Sequence, residues 1–254
     1  MSSGLVPTVN VLGLSYADSS PAALKCFFHT QLTRGSTPMS VFTPNATIAA
    51  AAARDDALCS LLQRGELLLP DGRGVLLAAR LAHTPLTTRL PGIEAGETVL
   101  SLCASLHLPV YFLGAAPGVA RRAAERWKER LPTLPLAGWH HGYFSPEDNA
   151  DILHDIRCAG ARVVLVCLGF PAQEKWIAEN APSLPDVKLL MGLGGSFDVW
   201  AGDIRRAPRA WQRMGLEWLW RSMRKPARLR TLIPAIGYLR AAKRSARQKK
   251  PVKI

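Results

Sequence analysis

Acid is almost absent from the last fifth of the chain. From Ile204 to Ile254 a single carboxylate, Glu217, stands against sixteen Lys or Arg, whereas Met1 to Asp203 carries sixteen against eighteen. The excess behind the net charge of +13 therefore lies at one end. Such a field calls for an anionic partner: nucleic acid, anionic lipid or a phosphorylated substrate. Long apolar runs are also missing. No stretch reaches the roughly eighteen apolar residues of a membrane span, and Met1 to Val11 lacks the basic region and apolar core of a secretory signal. The expectation is a chain neither exported by a classical signal nor integral to a membrane. Cysteine pairing is absent as well: Cys26, Cys59, Cys103, Cys158 and Cys167 stand singly in apolar segments, as expected of reduced, buried thiols in a cytosolic protein. There is no Walker A sequence, and Gly192-Leu193-Gly194-Gly195 lacks the G-x-G-x-x-G spacing of a dinucleotide loop. No D-x-D triplet occurs, which argues against a nucleotide held through a divalent metal; no metal and no cofactor are expected.

What is present is a globular composition. The 254 residues are 48% apolar, enough for a substantial core. Apolar strand-like runs at Val9–Leu14, Met39–Thr43, Leu67–Leu69, Val110–Leu113, Val163–Leu168 and Val187–Met191 alternate with helical segments, among them Ala22–Leu32, a long Ala46–Leu62, Val75–Leu81, Ile93–Leu106 and Val119–Leu131. That alternation predicts an α/β fold, a mainly parallel Rossmann-like sheet covered by helices on both faces. Ligands in such sheets bind beyond the carboxyl ends of the strands. Two successive strands deliver polar groups to that edge: Thr43 with Asn45, then Asp71 in Pro70-Asp71-Gly72-Arg73-Gly74. The Gly-rich turns could accept phosphate on backbone N–H groups or simply allow close packing. His140-His141 has no Asp or Cys at ligand spacing and reads as loop. Gly138 to Phe144 shows neither helical nor alternating period.

Beyond Pro208, Trp211, Trp218, Leu219, Leu232, Ile233 and Ile236 are interleaved with Arg221, Arg224, Arg228 and Arg240, and a polybasic run follows from Lys243 to Lys253. Trp and Leu on one side with Arg and Lys on the other describe helices lying at a headgroup surface. Helices packed on the domain with a solvated charged face would explain the aromatics but not the missing acids. A nucleic-acid-binding module is the rival reading, and a nucleotide-dependent oxidoreductase is a second.

An ordered set of motifs carries a resemblance: Thr43-Pro44-Asn45, Pro70-Asp71-Gly72, Arg89-x-Pro91-Gly92, Phe112-Leu113-Gly114, His141-Gly142-Tyr143-Phe144, Leu168-Gly169-x-Pro171-x-Gln173-Glu174-x-Trp176, Gly194-Gly195-x-Phe197-Asp198, Arg206-Ala207-Pro208 and Glu217-Trp218-Leu219. From about Thr43 to about Arg230 the chain resembles the WecG/TagA/CpsF glycosyltransferases, glycosyltransferase family 26. The resemblance implies an inverting, metal-independent transferase, with residues 1–203 as catalytic domain and 204–254 as a basic, helical, membrane-associating appendage. It implies a UDP-sugar donor, typically UDP-N-acetylmannosamine, with UDP-glucose and UDP-N-acetylmannosaminuronate as alternatives. The acceptor would be a sugar on undecaprenyl diphosphate, in synthesis of teichoic acid or another surface polysaccharide at the inner face of the bacterial cytoplasmic membrane. By the same resemblance Asp71 is the general base, with Thr43 and Arg89 in the catalytic group. Asn45 binds substrate beside the base, Tyr143, Gln173 and Asp198 lie around the nucleotide, and Arg221 and Arg228 reach a diphosphate. Arg230 stands beside Thr231, near the place of a further family arginine. Nucleic acid is not expected as a partner; a homo-oligomer is compatible with all of this.

Overall fold

The computed structural model describes residues 6–208, Trp211 and 232–248. The first strand expected from the sequence is instead a hairpin. β1 (Thr8–Val11) and β2 (Leu14–Ala17) pair antiparallel across Leu12 and Gly13, both at positive φ (51° and 92°). That geometry matches the twist of a tight hairpin, and Asn10 Oδ1 accepts the Gly13 N–H at 3.1 Å. α1 (Pro21–Arg34) opens as expected, with Ser20 Oγ accepting from Ala23 N. After β3 (Met39–Phe42) the long helix expected from Ala46 to Leu62 is broken into α2 (Ala46–Ala52) and α3 (Asp56–Gln63). Asp55 is the cause, because its Oδ1 accepts the N–H groups of Ala57 and Leu58 and starts a second helix there.

β4 (Leu67–Leu68), α4 (Arg73–Leu81), α5 (Gly92–Leu106), β5 (Val110–Gly114) and α6 (Val119–Arg130) follow. β6 (Leu136–His140) covers part of the stretch whose sequence has no period, pairing with β5 across a register shift. It is an edge strand with no buried residue and with Trp139 exposed, so no alternation was imposed on it. The chain continues through α7 (Asn149–Cys158), β7 (Val163–Cys167), α8 (Ala172–Asn180), a 3₁₀ turn (Ala181–Ser183), β8 (Leu189–Gly192), α9 (Ser196–Trp200) and α10 (Leu232–Gln248).

All eight strands form one sheet in the order β1-β2-β4-β3-β8-β7-β5-β6, parallel except for the hairpin. The central strands are buried on both faces, and their side chains alternate between two cores. Val110, Phe112, Val163, Leu165, Leu189 and Met191 enter the core under α1, α5, α6 and α9. Tyr111, Leu113, Val164, Val166 and Leu190 enter the core under α2, α4, α7, α8 and α10. α10 lies against α2 and α4, burying Tyr238 and Ala242; the Tyr238 hydroxyl donates to Val11 O at 3.5 Å. The thiols depart from expectation in part: Cys103 and Cys167 are buried, but Cys26 and Cys158 are exposed and Cys59 is half-buried.

Candidate active site

Every parallel strand ends on the same edge of the sheet, so the loops after β3, β4, β7 and β8 lie side by side. The β3–β4 ladder continues past its last paired residues through Leu69 N–H to Phe42 O (2.8 Å), and Pro70 O accepts from Leu90 N at 3.0 Å. Asp71 follows directly, half-buried, on the turn into α4. Gly72 takes φ 85° there, a value strained for any residue with a Cβ. It lets the chain enter the helix within one residue of the carboxylate.

Thr43 is the junction of the edge. It is 8% exposed, and its Oγ1 donates to Gly192 O at the end of β8 (3.1 Å). Gly92 presses on it from the other side: a Cβ at that position would stand 2.9 Å from Thr43 Cγ2. Three segments distant in sequence, the ends of β3 and β8 and the start of α5, thus meet at one hydroxyl-bearing side chain. Asn45 caps α2, its Oδ1 accepting from Thr47 N (2.9 Å) and Ile48 N (3.1 Å), which leaves its NH₂ as the group to offer a ligand.

On the β8 side the Gln173 amide is wedged against the chain end. Its Oε1 accepts the Gly194 N–H at 2.9 Å and its Nε2 donates to Glu174 Oε1 at 2.9 Å; a Cβ on Gly192 would stand 2.9 Å from that nitrogen. Gln173 and Glu174 are 2% and 1% exposed. Burial pushes the Glu174 carboxyl up to about 7, although the Gln173 amide and its own backbone N–H pull the other way. Asp198 stands half-buried in the first turn of α9, its Oδ2 3.5 Å from the place a Gly195 Cβ would occupy.

The arginine expected in the catalytic group, Arg89, is drawn toward Glu94 in the first turn of α5 (Nη2 to Oε1, 3.7 Å), and Arg206 Nη2 reaches the same oxygen at 2.6 Å. Two guanidinium groups therefore converge on one carboxylate. Tyr143 is the outlier. It is 74% exposed beyond β6, five strand positions from β4, or about 24 Å at the usual strand spacing. The Gly142 N–H ties its loop to Ala115 O after β5 (2.8 Å). Arg221 and Arg228 lie outside the described residues. So Thr43, Asn45, Asp71, Gln173, Asp198 and Arg89 share the central part of the edge and Tyr143 stands at its end.

Two residues given no role by sequence reasoning belong to the same polar arrangement, Glu174 and Glu94. For Glu174 the sequence carried one signal, an acid beside Gln173 directly after an apolar strand. Chemically the edge offers a carboxylate able to take a proton, paired arginines for a phosphate and backbone N–H groups at helix starts. Among the described residues no group of His, Cys, Asp and Glu is arranged to hold a metal ion.

The N-acetylglucosaminyldiphosphoundecaprenol N-acetyl-beta-D-mannosaminyltransferase of Bacillus spizizenii is 32% identical over 201 residues, covering 79% of this chain and 77% of that protein. Residues 9–251 match the Glycosyl transferase WecG/TagA/CpsF family. With the match running over nearly its whole length, the chain belongs to the WecG/TagA/CpsF family and is a glycosyltransferase.

Proposed function

We propose that this chain transfers N-acetylmannosamine from UDP-N-acetylmannosamine to the N-acetylglucosamine of N-acetylglucosaminyldiphosphoundecaprenol, with inversion, in synthesis of teichoic acid or a related surface polymer. The observation that carries the reading is Asp71 on the β4–α4 turn, on the same sheet edge as Thr43, the Gln173–Gly194 brace and the Arg89–Glu94–Arg206 cluster. The name of the Bacillus relative supplies the acceptor and the transferred sugar; the UDP carrier comes from the family resemblance.

In this mechanism Asp71 takes the proton from the acceptor hydroxyl while its oxygen attacks the anomeric carbon. The bond from that carbon to the phosphate oxygen breaks, and UDP leaves with the electron pair. The charge gathering on the diphosphate is met by Arg89 and Arg206, by backbone N–H groups near Gly194 and, in this reading, by Arg221 and Arg228. Oriented cations of this kind perform the task a metal performs in D-x-D transferases. The lipid acceptor is met at the membrane surface. Arg54 with Arg240 and Arg244 of α10 lines an open groove, and each cation near an anionic leaflet contributes about 1 kcal/mol of attraction. No helix among the described residues is long and apolar enough to cross a membrane.

The deciding experiment is a donor screen with purified protein, a lipid-diphosphate N-acetylglucosamine acceptor and excess chelator, scoring UDP release. UDP-N-acetylmannosamine should give the fastest release, ahead of UDP-glucose and UDP-N-acetylmannosaminuronate. Faster release from another donor would overturn the substrate assignment. Activity lost to chelator and restored by Mg²⁺ would overturn the metal-independent mechanism.

A further inference from the structure

Among the described residues the mechanism leaves a fully buried carboxyl group without a task. Glu174 is 1% exposed and, among the described residues, has no charged partner and no hydrogen-bond partner for its enclosed Oε2. A carboxyl group kept in that state is costly, so the question is what its other oxygen achieves.

We infer that Glu174 is a positioning residue for the nucleoside diphosphate: its carboxylate fixes the Gln173 amide, and through it the loop at Gly194 just past β8. This rests on the donor reading above. Three contacts carry it. Gln173 Nε2 donates to Glu174 Oε1 (2.9 Å) and Gln173 Oε1 accepts from Gly194 N (2.9 Å), so the amide has one donor-facing and one acceptor-facing end, each matched. Gly192, whose carbonyl takes the Thr43 hydroxyl, lies directly beneath that amide with no room for a Cβ. Remove Glu174 and the buried Nε2 loses its acceptor. The amide must then turn or swing out, and both the Gly194 loop and the support under Gly192 and Thr43 loosen.

The site around the carboxyl suits a group that changes charge near neutrality. Position in the first turn of α8 favours the carboxylate, yet burial outweighs this and the group titrates at about 7. The elements packed most closely on α8 are α3, β3, β7, β8 and the 3₁₀ turn. Their titratable side chains are Asp56 and Cys59 on α3 and Cys167 on β7. Arg64, just past α3, spends its guanidinium on Ala178 O (2.8 Å). Lys175 and Glu179 on α8 itself are exposed. None of these contributes to the Glu174 shift, which comes from burial, the Gln173 amide and the backbone. Ionised Glu174 is the stronger acceptor for Gln173, so the brace is tighter above pH 7 than below.

The test uses the full chain with UDP as the probe, in two readouts: calorimetric UDP affinity from pH 5.5 to 8.5, and hydrogen exchange of the peptide carrying the Gly194 N–H. Glu174→Ala should weaken UDP binding at least tenfold and speed exchange at Gly194. Gln173→Ala should do the same, and the double variant should be no worse than either alone. Glu174→Gln, which keeps an acceptor oxygen, should recover most of the lost affinity. It should also lack the loss of affinity that wild type shows below pH 7 beyond that due to UDP itself. Wild-type affinity and unchanged exchange in Glu174→Ala would overturn the inference. Should Glu174→Ala fail to fold, parallel pH profiles for wild type and Glu174→Gln would overturn it equally. If wild type does not bind UDP, the donor reading falls, and Gly194 exchange alone decides the role of Glu174.

Discussion

At the scale of single residues the edge of the sheet turns on two carboxyl groups in opposite settings. Asp71 is half-buried on a turn, where the proposed mechanism has it take the proton of the acceptor hydroxyl. Asp71→Asn keeps its shape but cannot accept the proton, so turnover should fall by at least about a hundredfold while UDP affinity and the unfolding midpoint stay near wild type; steady-state kinetics beside calorimetry check this. Glu174 is sealed, and its titration is coupled to folding. Its carboxyl is raised from 4.5 to about 7 in the folded chain, so the folded state holds its proton to higher pH than the unfolded state. The contribution to stability is full below about pH 4.5 and is lost as pH rises through 7. Glu174→Gln should therefore show less decline than wild type between pH 5 and pH 8, by up to about 3 kcal/mol, read from urea midpoints at the two pH values. The positions of Thr43 and Asp71 on the sheet edge were legible because they follow apolar strands in an alternating α/β pattern; Gln173 was picked out by the family resemblance alone. The pairing of Glu94 with both Arg89 and Arg206, and the burial of Glu174, were not legible. Arg89 and Glu94 are near neighbours in sequence, but Arg206 reaches Glu94 across 112 residues and Glu174 is buried by other elements, and no local pattern records those.

Among the elements, apolar runs and caps gave most of the order, and the exceptions have local causes. Asp55 split a helix that Ala-rich composition had made to look continuous. A Gly in a run of β-branched and polar residues read as strand interior, where it is the second residue of a hairpin turn. β6 was hidden because an edge strand with no fully buried residue need not alternate. The start of α5 is the element boundary that matters most to the site, since Gly92 touches Thr43. Gly92→Ala places a methyl group 2.9 Å from Thr43 Cγ2. Both sit on buried backbone, so the expected cost is about 1–3 kcal/mol of stability. Displacement of Thr43 should lower turnover by about tenfold or more; thermal unfolding with kinetics on the same preparation separates the two effects.

For the whole molecule, the charge asymmetry read from composition acquires a location. α10 carries Arg240, Lys243 and Arg244 on its exposed side and buries Tyr238 and Ala242 against the core, so one helix both seals α2 and α4 and presents cations. Deleting it would confound the two roles. Charge reversal separates them: Arg240→Glu with Arg244→Glu should cut retention on anionic vesicles several-fold, with a steep dependence on salt, while leaving the melting temperature within a few degrees of wild type. Unchanged vesicle binding would place membrane attachment elsewhere on the chain.

The bond from Thr43 to Gly192 joins residues 149 positions apart, and β3 pairs with β8 in the middle of the sheet. During synthesis the first half of the chain therefore emerges from the ribosome with its central strand unpaired on one side, and must wait for about 150 further residues before that edge is covered. Contacts of such long sequence separation are slow to form and leave sticky strand edges open meanwhile. The junction of β3 and β8 is thus completed late in biosynthesis: a nascent chain that already contains Thr43, Asp71 and Arg89 still lacks the strand that Thr43 bonds to.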